Sequence, residues 1–135
     1  MKLPLPTDKL AGCIWLPRIL SKARLLAQGA LPEEYVTRFG HATGVDGQFL
    51  KHFGLTKADI INLALLSDAE ASVAFYKFEC VNPDSVQNWN TIAVNLGRSG
   101  FPMAERLPIA LRTSYAHLVG RHFETVFEVL VADEQ

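Results

Sequence analysis

CIWLPRILSKAR, Cys13 to Arg24, decides how the rest of the chain reads. Pro17 suits a first helical position, where its missing N–H costs nothing and its fixed φ is already helical. Gly29 supplies the stop, because glycine takes the left-handed cap cheaply. Between them Ile19, Leu20, Ala23, Leu26 and Ala27 recur at helical spacing. The spacing predicts an amphipathic helix over residues 17–28, with that stripe toward a core. Arg18 and Lys22 stand four apart on the opposite side and project together. Arg24 points about 120° away from Arg18.

With 135 residues the chain fits one domain, residues 1–135. A domain of this size buries about two thirds of its unfolded surface, enough for a real core. Apolar residues at 49% and charged residues at 20% are ordinary globular proportions, which argues against disorder. A net charge of −1 provides no field for a polyanion or an acidic membrane. Neither a nucleic acid nor a membrane partner is therefore expected, and no stretch approaches the ~18 apolar residues of a membrane span. Residues 1–60 carry eight Lys/Arg against five Asp/Glu, and residues 61–135 carry five against nine. That mild asymmetry suits head-to-tail packing. Two cysteines, Cys13 and Cys80, make no disulfide framework; both are expected as buried free thiols in a reducing cytoplasm. Leu10-Ala11-Gly12-Cys13 resembles a lipoprotein cleavage box. The apolar run such a signal needs is interrupted by Pro4, Pro6, Asp8 and Lys9, so lipidation is not expected.

Residues 1–12 are punctuated by prolines and read as a surface wrap. Pro32-Glu33-Glu34 suits the start of a short helix, with acids near its positive end. Asp46 is the expected N-cap of another, closed by Gly54 just after Phe53, or else pairs with a base from the first helix. Thr56-Lys57-Ala58-Asp59 resembles a capping box and opens a helix to about Leu66; Ser67 to Glu70 forms a second, opening an element to about Glu79. Val73 to Val81 reads as helix from its cap and alanines, with strand as the alternative from its aromatic and β-branched content. Asn82-Pro83-Asp84 starts a helix that carries Val86, Trp89, Ala93 and Leu96 inward and ends at Gly97. A long pattern from Ala104 places Leu107, Leu111, Tyr115 and Leu118 inward, with Pro108 as a kink or the true start. Phe123, Val126, Phe127 and Leu130 mark a last helix. The expected fold is all-α: a compact orthogonal bundle of about five to seven helices.

Candidate chemistry is sparse. His117 and His122 are five apart, which misses the one-face i, i+4 spacing of a helical metal pair. No Cys pair joins them at zinc spacing, so no metal is expected. Gly97-Arg98-Ser99-Gly100 suits a turn rather than a nucleophile elbow. No Gly-rich fingerprint for a nucleotide is present, and no cofactor is expected. Trp15 and Trp89 are expected core anchors. His41 lies in a glycine-flanked loop, where functional histidines are found. No catalytic residue emerges.

The spacing Leu16-Pro17-Arg18, then Lys22-Ala23-Arg24, followed by Asp46, Phe49, Leu50 and Gly54, resembles an uncharacterised bacterial family, domain of unknown function 5069. In that family a similar helix precedes an Asp-x-x-Phe-Leu element and a glycine. Residues 41–45, HATGV, replace the short acidic stretch usual before that Asp. The resemblance implies a small bacterial domain and brings no established activity.

Three readings follow. One is a structural or interaction protein, expected as a homodimer, with Arg18 and Lys22 only making surface salt bridges. A second is a binding module for a small anionic ligand, a carboxylate or phosphate, with Arg18, Lys22, Arg24, Asp46 and His41 as candidate ligand-binding residues. The third is an enzyme using an Asp46 or His41 loop beside the basic helix.

Overall fold

A computed structural model describes residues 2–135. Among these residues the chain is mostly helical, with eight α-helices, one 3-10 turn and a two-stranded hairpin. One of the eight is the single turn α2 (Glu33–Val36), which carries the count past the expected range. Two compact units are formed, one ending at Trp89 and the other spanning Asn90–Gln135.

The first unit opens with β1 (Lys9–Leu10) and β2 (Cys13–Ile14), paired antiparallel. Ala11 and Gly12 between them both have positive φ, 56° and 77°, as a two-residue hairpin turn of matching twist requires. Tyr76 donates its hydroxyl proton to the Ala11 carbonyl (2.8 Å) and fixes that turn. The expected surface wrap thus contains a short hairpin, which is the whole of the sheet structure described.

Helix α1 (Leu16–Ala27) begins one residue earlier than the proline suggests. It ends as expected at Gly29, φ 68°, where the Ala30 N–H bonds to the Leu25 carbonyl and the Gly29 N–H to that of Leu26. These two bonds are the Schellman pattern, which satisfies carbonyls the helix end would leave open. Leu16, Ile19, Leu20 and Ala23 are buried, and α1 packs chiefly against α4 (Lys57–Ala64) through Ile60 and Leu63. Helix α3 (Val45–Phe53) contributes Phe49 and Phe53 to an aromatic centre completed by Phe75 and Trp89. Trp89 donates its indole proton to the Ile14 carbonyl (2.8 Å), tying that centre to the hairpin.

Both capping boxes read from the sequence are present, at Thr56/Asp59 and Ser67/Glu70. Helix α5 (Asp68–Phe75), however, stops well before Glu79. Residues 76–82 are neither helix nor strand. Lys77, Phe78 and Val81 bond back three residues in successive turns. Tyr76 has left the helix to reach Ala11. Cys80 lies in this segment and is exposed, so only Cys13 is the buried thiol expected. Helix α6 (Pro83–Ala93) starts at an Asn82 cap, whose side-chain oxygen accepts the Ser85 N–H (2.8 Å); the unit boundary falls within it, after Trp89.

In the second unit the long helix expected from Ala104 is α7 (Arg106–Arg112) followed by a 3-10 turn, Ala116–Leu118. Pro108 sits in the first turn, where it costs nothing, so it marks the start rather than a kink. Thr113, at φ −118° and ψ −89°, leaves helical space and ends α7. Leu107 and Leu118 are buried; Leu111 and Tyr115 are only half-buried. Gly97 (φ 96°) lies so close to Leu107 and the Val126 backbone that a Cβ would come within 3.0 Å of a Leu107 methyl. Helix α8 (Val126–Asp133) buries Val126, Phe127 and Val129 and leaves Phe123 outside. It starts at a third capping box, Thr125/Glu128, absent from the sequence reading. The Glu128 carboxylate accepts the N–H groups of Glu124 and Thr125, and those bonds hold its pKa below the usual value.

Two substitutions test these assignments. A Cβ at Gly47, inside α3, would lie 2.4–2.6 Å from the His41 and Ala42 carbonyl groups. Helix propensity favours alanine over glycine, yet Gly47→Ala should destabilise by about 1–3 kcal/mol because backbone must move. Thr125→Ala should cost about 1 kcal/mol through loss of the cap. Urea midpoints read both, and a more stable Gly47→Ala would refute the close approach.

Candidate functional site

Trp15 is the N-cap of α1 and has φ 78° and ψ −23°, a left-handed conformation that bulky residues rarely adopt. Holding it there costs about 1–3 kcal/mol. The strain aims the indole inward, where Trp15 is 2% exposed. Its Nε1–H donates to Asp46 Oδ1 at 2.8 Å. Over its ring lie the Arg18 guanidinium, 5.2 Å from the centroid, and the Lys22 ammonium, 5.1 Å away. Cations at that distance are attracted to the negative ring face.

Arg18 and Lys22 are therefore not on a solvated face. They are 2% and 5% exposed, because α1 is covered on its basic side as well as its apolar one. Lys22 Nζ lies 2.7 Å from Asp46 Oδ2, an ion pair buried at both ends. Arg18 donates from a terminal nitrogen to the Pro4 carbonyl (2.9 Å), which draws the N-terminal segment over the helix.

Asp46 does not cap α3. Gly44 holds the N-cap position, with Asp46 in the first turn, 2% exposed. Its carboxylate accepts Trp15 Nε1–H on one oxygen, and Lys22 Nζ–H and the Gly40 N–H (2.9 Å) on the other. Of the two roles open to Asp46 in the sequence, cap or partner of a first-helix base, it takes the second, and the base is Lys22.

Arg24 and His41, also candidates, lie outside this cluster of contacts. Arg24 donates to the Ala64 and Leu66 carbonyls and pairs with Asp68 at 2.8 Å, so it ties the end of α4 to the start of α5. Exposed His41 accepts at Nδ1 from the N–H and hydroxyl of Thr43, which orders its own loop. Among the other histidines, His52 donates Nε2–H to the Ser85 carbonyl and His117 meets Asp133. Among the described residues, no three His, Cys, Asp or Glu side chains are grouped to hold a metal ion. Burial pushes the Cys13 thiol up to about 12, which disfavours the thiolate that a nucleophile needs. The sequence reading missed Trp15 as a member of the cluster. Its spacing carried the signal, because residues 15, 18 and 22 fall at i, i+3 and i+7 on one helical stripe.

Asp46→Asn tests the pair. One amide oxygen could still accept the indole, but the NH2 would then face two donors, and Lys22 would be left buried without its carboxylate. The expected loss is on the order of 3–5 kcal/mol. Adding Lys22→Met should cost less than the two single losses together. An unchanged denaturant midpoint for Asp46→Asn would remove the ion pair from the account.

No curated protein and no solved structure matches the chain. A family model does match, over residues 3–135, under the description Domain of unknown function (DUF5069). The motifs on Arg18, Lys22 and Asp46 fall within that match, and the chain belongs to the DUF5069 family.

Proposed function

We propose that the chain is a structural or interaction domain that self-associates as a homodimer in the cytoplasm. The observation that carries this reading is the fate of the basic helix. Lys22 is buried against Asp46, and Arg18 is buried against the Pro4 carbonyl and the Trp15 ring. Basic groups spent on internal partners hold elements together, and displacing them in favour of a ligand would leave Asp46 as an uncompensated buried charge. The anionic-ligand reading needs those same groups to face an incoming carboxylate or phosphate.

Self-association draws support from the second unit, where Ile109, Val119 and Val131 are exposed, Val119 to 84%. Apolar side chains in water favour a partner surface when they cluster. A reducing compartment suits two free cysteines, one of them exposed. No helix among the described residues is long and apolar enough to cross a membrane.

Two measurements test the reading. Phosphate and citrate, titrated at fixed ionic strength, should give no saturable rise in melting temperature. A saturable rise that Arg18→Ala removes, with the unliganded melting temperature unchanged, would establish the anion site instead. Sedimentation velocity should show a concentration-dependent dimer that Val119→Glu weakens. A monomer at all accessible concentrations would rule out the homodimer.

A further inference from the structure

Beyond this structural reading, we infer that residues 40–44 form a hinged strap that opens independently of the rest of the first unit and uncovers Lys22. The segment is anchored at both sides, by Phe39 at 3% exposure and Val45 at 6%. Beside each anchor stands a glycine. Gly40 is left-handed, φ 69°, and Gly44 is extended, φ −99° and ψ −173°. Glycines absorb large backbone rotations at low cost, which is what a hinge requires.

The three residues between the hinges are exposed, and the segment is hydrogen-bonded within itself. Thr43 donates twice to His41 Nδ1, and the Gly44 N–H bonds to the His41 carbonyl. The strap can therefore move as a preformed turn without exposing an apolar side chain of its own. Its attachment to the body is polar and close-fitting: the Gly40 N–H reaches Asp46 Oδ2, the His41 N–H bonds to the Arg38 carbonyl, the Gly44 carbonyl accepts the Gln48 N–H, and the His41 and Ala42 carbonyls lie flush on Gly47. Lys22 Nζ bonds to that same Asp46 oxygen. Lifting the strap thus removes a neighbour of the ammonium and opens a path to it, while Asp46, Trp15 and α1 stay in place. Segments held by few buried apolar contacts open at lower free energy than the core.

The intact chain serves for the test. Amide exchange is followed by NMR over a series of urea concentrations below the unfolding transition. Gly40 should exchange at a rate independent of urea, whereas Leu20 and Ala23 in α1 should follow urea as global unfolding does. Acetylation of Lys22 by an N-hydroxysuccinimide ester, read by mass spectrometry, should likewise proceed at a urea-independent rate. His41→Ala removes the acceptor that orders the strap and touches nothing in the core. It should speed both Gly40 exchange and Lys22 acetylation by about tenfold, with the melting temperature nearly unchanged. Gly40 exchanging with the urea dependence of Leu20, Lys22 reacting only in step with unfolding, or His41→Ala leaving both rates unchanged would each overturn the strap.

Discussion

Asp46 accepts hydrogen bonds from three separate parts of the first unit. The indole of Trp15 comes from the junction of hairpin and helix, the ammonium of Lys22 from the next turns of α1, and the amide of Gly40 from the loop before α3. A carboxylate this deep is tolerable only if its charge is opposed and both its oxygens are hydrogen-bonded, and both conditions are met. Its neighbours inherit that constraint. Lys22 cannot turn to solvent without abandoning a buried negative charge, and Gly40 cannot move without vacating an acceptor. The positions of α1, the loop and α3 are thereby linked through one side chain.

Such a pair is weak evidence of net stability, since its Coulombic gain is largely offset by desolvation. What it supplies is geometry. The left-handed backbone at Trp15 shows the consequence, because its cost of about 1–3 kcal/mol must be met by interactions elsewhere. A hydrogen bond to a charged acceptor contributes about 1.5–3 kcal/mol. Two cation–ring contacts each add on the order of 0.5–2 kcal/mol. These terms are of the size required. The contacts at the Asp46 site are thus large enough to offset the strain at Trp15.

Legibility in the sequence follows the range of each interaction. The boxes at Thr56 and Ser67, the Asn82 cap and the glycine stops at Gly29 and Gly54 involve residues within a few positions of one another, and all are present. The box at Thr125 was equally local, but the apolar Phe123 ahead of it drew the helix start too early. The end of α5 was not legible, because Tyr76 leaves the helix for an acceptor 65 residues away. The burial of Arg18 and Lys22 was hidden for the same reason. Helical periodicity separates an apolar stripe from a basic one, and it cannot say that the basic stripe meets Asp46, 24 residues beyond Lys22. Basic residues opposite an apolar stripe imply water only when no other element lies over them.

The residues that carry the family likeness now have physical roles. Pro17 sits in the first turn of α1; Arg18 and Lys22 bind inward, and Arg24 fastens the α4–α5 junction. Asp46 gathers the donors, Phe49 fills the aromatic centre, and Gly54 closes α3 in the left-handed conformation. Leu50 offers its carbonyl to Gly54 and Leu55 at that same end. Each of these roles serves folding, so the family motif describes how the first unit is built. A functional group of this chain is more profitably sought at positions the fold leaves uncommitted, on surfaces such as that of the second unit. There the side chains of Ile109 and Val119 are exposed.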